Sequence, residues 1–259
     1  MATFLFLNDD IRDKYAKLYL VKKGHEIVDY YITNKVIDYI VLPIKGINKD
    51  ELFEHLVKEN TDKKYIVYNI TPYMLHLKLK YKLNYIELKN DEEFNKINSI
   101  ATSEAVVKYS IEALPITLKE SKILILGYGN SAKALVNDFV HFSKEVLVAV
   151  RRETIQQELD SKSIQNINIK ELKNIIEKYD IIINTIPTLI IDEELLHYIS
   201  PASYILDIAS YPGGVDFKKA KEYGINAFLL PSLPLKYAPK SSGISYAKAI
   251  ERGIVKWKN

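Results

Sequence analysis

A chain of 259 residues exceeds the usual size of one domain, so two compact units are expected, and 47% hydrophobic with 27% charged residues supplies a core and excludes long disorder. A net charge of +3, from 36 Lys and Arg interspersed with 33 Asp and Glu, makes neither a nucleic-acid stripe nor a membrane-binding face. The absence of cysteine excludes disulfides, thiolate metal sites and a Cys nucleophile, which suits a cytoplasmic enzyme whose redox work comes from a cofactor.

Residues 3–7 form a short apolar run with no basic leader ahead of it, and 11–23 place Tyr15, Leu18 and Tyr19 at helical spacing before Gly24. This strand, turn and helix recur: 39–42 reads as a buried strand ended by Pro43, 49–59 as a helix and 65–68 as another strand. Such alternation predicts a parallel sheet covered on both faces. Within 102–114, Val106, Val107, Ile111 and Leu114 share one helical face before Pro115, which predicts a helix joining two domains. A second series follows, with strands at 122–126, 146–150, 181–184, 204–208 and 227–230, a helix from Ser131 and a last helix over 242–255.

The expected fold class is therefore α/β in two domains. Residues 1–100 make a parallel-sheet domain, 101–118 a connecting helix, and 119–241 a six-stranded Rossmann domain; by analogy with two-domain enzymes of this build, a helix over 242–259 returns to the first domain. No run of ~18 apolar residues suggests a membrane span, and no repeat of fixed period is present.

The apolar strand Ile123-Leu124-Ile125-Leu126 leads into Gly127-Tyr128-Gly129-Asn130-Ser131-Ala132, and Leu135, Val136 and Phe139 continue as an apolar helix. That context is what a dinucleotide fingerprint requires: the first Gly for a tight turn, the second for close approach of a pyrophosphate, and a small third residue for helix-to-strand packing. Helix amides then face the phosphate charge. Twenty or so residues further on, the end of the next strand carries Arg151-Arg152 where an NAD-preferring chain places a carboxylate, so NADP is favoured over NAD. Two solvated arginines are the alternative, and Glu153 stands one residue later.

Thr185, Ile186 and Pro187, after Asn184, suit a wall beside the nicotinamide end, or a plain strand-ending turn. At the next strand end, Asp207 and Ser210 cluster with Pro212, Gly213 and Gly214 on the side where open α/β sheets bind ligands. Asp216 reads as a helix N-cap. Residues 231–243 read as a loop with three prolines, ending in Lys240, Ser241 and Ser242. Lys240 suits a substrate carboxylate or proton transfer, while Ser241 or Ser242 suits an anion contact or a cap. The five histidines show no metal-ligand spacing.

These strings together resemble the family of the dipicolinate synthase A-subunit. Residues 207–217 and 233–243 carry the most specific likeness, joined by Asn98-Ser-Ile-Ala-Thr-Ser-Glu104, by Asn184-Thr-Ile-Pro187 and by the acidic-x-Arg signature Asp10-Ile-Arg12. The chain departs from the family pattern at Asn8-Asp9, Ala101, Ala105, Ser232 and Leu235. The resemblance implies oxidation of a dihydrodipicolinate-type intermediate of the lysine pathway to dipicolinate, with NADP, in the cytoplasm of a sporulating mother cell. It also implies a partner, a flavoprotein-like B-subunit, and self-association stays open. On that basis Asp10, Arg12, Thr102, Pro212, Gly213, Gly214, Ser241 and Ser242 are substrate-binding candidates, with Arg12 and Lys240 suited to its carboxylates. Asp207, Ser210, Lys240 and Glu104 are the catalytic candidates, Asp207 or Glu104 as proton acceptor. The alternatives are a shikimate-dehydrogenase-like reductase and a noncatalytic NADP-binding subunit.

Overall fold

The computed structural model describes residues 1–28 and 36–258. The chain divides into two compact units, one formed by 1–97 with 238–259 and the other by 98–237.

In the first unit the order is β1 (Thr3–Phe6), α1 (Ile11–Lys22), β2 (Glu26–Val28), β3 (Tyr39–Val41), α2 (Glu51–Glu59), β4 (Lys64–Val67), α3 (Pro72–Tyr81) and β5 (Asn84–Glu87). Then α4 (Glu92–Ala113) runs across the boundary between the units. The five strands pair in parallel in the order β2-β1-β3-β4-β5. Strand order reverses between β1 and β3, so the crevice such sheets offer lies at their carboxyl ends, beside Asn8 and Asp10. Alternate side chains along each strand enter separate cores: Phe4 and Phe6 join one, Leu5 and Leu42 the other. β2, β5 and α3 go beyond the sequence reading. β2 spans only three residues, and α3 keeps Leu75 and Leu79 exposed, so neither shows a clear apolar period.

The second unit continues with β6 (Lys122–Leu126), α5 (Asn130–Phe142), β7 (Glu145–Val150), α6 (Glu153–Ser161), β8 (Asn166–Asn168) and β9 (Ile181–Asn184). α7 (Glu193–Leu196), β10 (Tyr204–Asp207), α8 (Phe217–Glu222), β11 (Asn226–Leu229) and α9 (Leu233–Tyr237) complete it. Its six parallel strands lie in the order β8-β7-β6-β9-β10-β11, the doubly wound Rossmann order. Both faces are covered: Ile123 and Ile125 of β6 pack with Leu135, Val136 and Phe139 of α5, whereas Leu124 and Leu126 pack with Leu172, Ile176 and Leu195. The sixth strand, β8, is a three-residue edge of sequence Asn-Ile-Asn, too short and polar to announce itself.

Two boundaries differ from expectation. The joining helix begins at Glu92, ten residues before the stretch 102–114 that revealed it, because Asp91 receives the Phe94 amide at 2.9 Å and starts the helix there. The expected loop over 231–243 is instead α9 followed by α10 (Pro239–Lys258), with Pro239 in the first helical position, where a missing N–H costs nothing. α10 belongs to the first unit and buries Tyr246, Ala247, Ala249 and Ile250 in its core. Gly243 is required there, since a Cβ would lie 2.8 Å from the Tyr15 Cβ. Arg252 closes the packing with a fork to Asp91 at 2.8 and 2.6 Å.

Candidate functional site

The turn from β6 into α5 is built on two glycines with different duties. Gly127 has φ +94°, and a Cβ there would lie 2.6 Å from Thr185 Oγ1 and 3.1 Å from Ile186 Cγ1, so this glycine serves the fold. Gly129 has an ordinary φ of −84°, and its Cβ would meet nothing within 4 Å. Its lack of a side chain leaves open space in front of the α5 N-terminus. Gly129 caps α5 without a side-chain hydrogen bond, and the first turn holds no acidic residue. The free amides and the positive end of the dipole therefore face that opening, which suits an anion.

A cleft of about 350 Å³ lies on one side of this turn, lined by Gly127–Ala132 residues together with Thr185, Ile186 and Pro187 from the end of β9 and Ile208, Ala209 and Ser210 from the end of β10. A second, of about 390 Å³, lies toward β7 and α6, where exposed Arg151 and Arg152 meet the apolar side chains of Ile155, Ile169 and Ile190. All eleven cofactor candidates, Gly127, Tyr128, Gly129, Asn130, Ser131, Ala132, Arg151, Arg152, Thr185, Ile186 and Pro187, thus line one or the other cleft. The residues fit a dinucleotide laid across the turn. The Thr185 hydroxyl donates to the Leu126 carbonyl at 2.7 Å.

Other candidates are placed differently. Asp207 is fully buried, and three N–H groups converge on its carboxylate: Asn184 Nδ2 at 2.9 Å, the Ala209 amide at 3.0 Å and the Gly214 amide at 2.7 Å. With three donors directed at its carboxylate and no exposure, it is arranged to hold those groups. Gly213 and Gly214 are buried rather than open to substrate: a Cβ on Gly213 would lie 2.5 Å from Asp207 Oδ2, and one on Gly214 would lie 2.5 Å from the Ile186 carbonyl and collide with Asn184 Nδ2. Ser210 and Pro212 are exposed, and Asp216 caps α8 through the Lys219 amide at 3.0 Å. Glu104 is exposed on α4, while Thr102 is buried and donates to the Asn98 carbonyl at 2.8 Å, one helical turn back.

Asp10, Arg12, Lys240, Ser241 and Ser242 belong to the first unit. Lys240 and Ser241 are exposed in the first turn of α10, whereas Ser242 is fully buried, which removes it from the surface contacts expected of it. Asp10 is the N-cap of α1, accepting from the Arg12 and Asp13 amides at 2.9 and 3.0 Å, from Asn8 Nδ2 at 3.0 Å and from Arg12 Nη2 at 3.1 Å. Arg12 keeps a buried Nε without a hydrogen-bond partner. Asp13, which sequence reasoning passed over, completes the capping box, and burial, reinforced by the Asp10 charge, pushes its carboxyl up to about 6 against the pull of Arg12 and Asn8. Its place three residues after an acidic cap was the signal that could have found it. Among the described residues no group of three His, Cys, Asp or Glu is placed to hold a metal, and no helix is long and apolar enough to cross a membrane.

Strand order, glycine turn and flanking clefts define the second unit as a dehydrogenase-type dinucleotide-binding domain, and the family described as shikimate / quinate 5-dehydrogenase matches residues 108–233. Along the whole chain the likeness is to the A-subunit of dipicolinate synthase: the Bacillus subtilis protein is 27% identical over 266 residues, 93% of this chain and 89% of its own. The crystal structure of the A chain of that synthase from Bacillus subtilis superposes with a TM-score of 0.87 at 24% identity, covering 99% of this chain and 97% of its own. A shikimate dehydrogenase (NADP(+)) from Caldicellulosiruptor saccharolyticus is 29% identical over 189 residues, 65% of this chain and 67% of its own. The resemblance read from the motifs therefore extends over nearly the full length, and the dehydrogenase-like fold supports an NAD(P)-dependent oxidoreductase.

Proposed function

We propose that this chain works as the A-subunit of dipicolinate synthase, oxidising a dihydrodipicolinate-type intermediate to dipicolinate with NADP, in the cytoplasm of a sporulating mother cell and together with a B-subunit. The observation that carries the dinucleotide reading is the open space at Gly129 before the uncapped amides of α5. The name of the Bacillus subtilis relative supports the substrate and the partner. When bound, the nicotinamide supplies a hydride acceptor. Aromatising the ring sends one hydride to it and releases one proton, which balances the two hydrogens lost.

The chain's own residues then have separable tasks. The amides of Asn130, Ser131 and Ala132 hold the pyrophosphate, and Arg151 and Arg152 pair with a 2′-phosphate through forked donors. Thr185 to Pro187 and Ile208 to Ser210 exclude water from the nicotinamide side. Lys240 and Arg12 recognise carboxylates, and Glu104, exposed on α4, is the remaining acceptor for the proton.

One observation favours a second reading, a noncatalytic dinucleotide-binding subunit: the residues lining the 350 Å³ cleft include no carboxylate, His or Lys. A hydride-transfer assay on the isolated chain separates the two. NADPH formed by the isolated chain only when the dihydrodipicolinate is added supports an enzyme, and tight NADP binding by the isolated chain without turnover supports the other reading.

A further inference from the structure

β9 and β10 lie side by side in the second sheet with Asn184 and Asp207, their last residues, directly opposite each other. Both are fully buried, in a position where a polar group is costly unless its bonds are made. They are made by each other and by the two loops that follow. Asn184 Oδ1 accepts from the Ile186 amide at 3.0 Å, and Asn184 Nδ2 donates to the Ile186 carbonyl at 3.0 Å and to Asp207 Oδ1 at 2.9 Å. Asp207 takes the Ala209 and Gly214 amides. The loops are sewn together further out, where the Ile190 and Ile191 amides both donate to the Gly214 carbonyl at 2.9 Å.

The arrangement has a direction. Each loop gives three residues to the 350 Å³ cleft, 185–187 from one and 208–210 from the other, while the buried side-chain pair at their base does not line it. A Rossmann sheet binds the two halves of its dinucleotide over its two mononucleotide-binding halves, and these loops follow the strands of the second. We propose that Asn184 and Asp207 are positioning residues for the nicotinamide half of the dinucleotide, their mutual bond fixing the separation of the two loops that wall it; this rests on the reading of the second unit as a dinucleotide site. Asp207 thereby acts through Ala209, Ser210 and Gly214 and not on substrate. An aspartate suits the place because all its neighbours are donors: an asparagine would turn an N–H toward an N–H.

The test compares NADPH with 2′-phospho-ADP-ribose, the same molecule without its nicotinamide, on the full chain as wild type, Asp207→Asn and Asn184→Ser. Asn184→Ser removes the cross-link while leaving Asp207 its two backbone donors, so it remains informative where Asp207→Asn fails to fold. Calorimetry should show a roughly tenfold loss of NADPH affinity, about 1.4 kcal/mol, with the fragment changed less than about twofold, and the fluorescence change of bound NADPH should diminish. Equal weakening of both ligands with a lowered melting temperature, or no change in either, overturns the positioning role. A wild type that binds neither ligand overturns the dinucleotide reading beneath it.

Discussion

The two glycines of the β6–α5 turn should respond to substitution in opposite ways. At Gly129 a valine enters an extended backbone, φ −84° and ψ −171°, that β-branched residues accept, and its Cβ meets no atom within 4 Å. Stability should change by less than about 0.5 kcal/mol, as for an ordinary surface substitution. Dinucleotide affinity should fall at least about a hundredfold, about 2.7 kcal/mol, because the side chain fills the space in front of the helix amides. At Gly127 an alanine must hold φ +94° and displace Thr185 Oγ1 from 2.6 Å. Backbone strain costs about 1–3 kcal/mol and overpacking about 1–3 kcal/mol, a loss of about 2–6 kcal/mol together. Scanning calorimetry on both variants, with NADP titrated into each, reads the two effects apart. Unchanged NADP binding by a folded Gly129→Val would mean that the fingerprint is only a packing turn.

Replacing Arg151 and Arg152 with alanine should weaken NADP by about 1.5–3 kcal/mol per lost charged contact while leaving NAD nearly unchanged; equal affinity of the wild type for the two dinucleotides contradicts this. Lys240→Met keeps an apolar stem and removes the charge, so turnover or substrate binding should drop with NADP affinity intact; full activity in steady-state assays would remove Lys240 from the substrate site. Asp13 gives a pH signature. Its folded value of about 6 lies above the ordinary 3.8, so the folded state holds the extra proton between them, and this group's contribution is present at low pH and lost as pH rises through about 6. Relative to Asp13→Asn, wild-type stability by urea unfolding should fall by about 1 kcal/mol from about pH 5 to about pH 7 and then level off; a difference independent of pH would show Asp13 ionised throughout.

The second unit is the more legible in sequence, for a physical reason. Ile123 to Leu126 is buried on both faces and opens directly into glycines whose spacing is set by backbone geometry, so pattern and chemistry coincide in one short string. Edge elements escape because edge strands carry little apolar signal, as Asn-Ile-Asn of β8 illustrates. The roles of Asp207, Gly213 and Gly214 are hidden for a different reason. A polar cluster at a strand end looks the same in sequence whether it faces a ligand or braces a loop from behind, and only the hydrogen bonds to Asn184, Ala209 and Gly214 distinguish the two. Likewise Ser242 sits beside exposed Lys240 and Ser241, yet its helical phase turns it into the core.

The most direct measurement follows NADPH and dipicolinate together, by absorbance, when the chain and a dipicolinate synthase B-subunit are supplied with a dihydrodipicolinate and NADP. One NADPH should form for each dipicolinate, and both signals should be lost in Gly129→Val. Dipicolinate formed without NADPH, or neither product from the wild type, would contradict the proposed function.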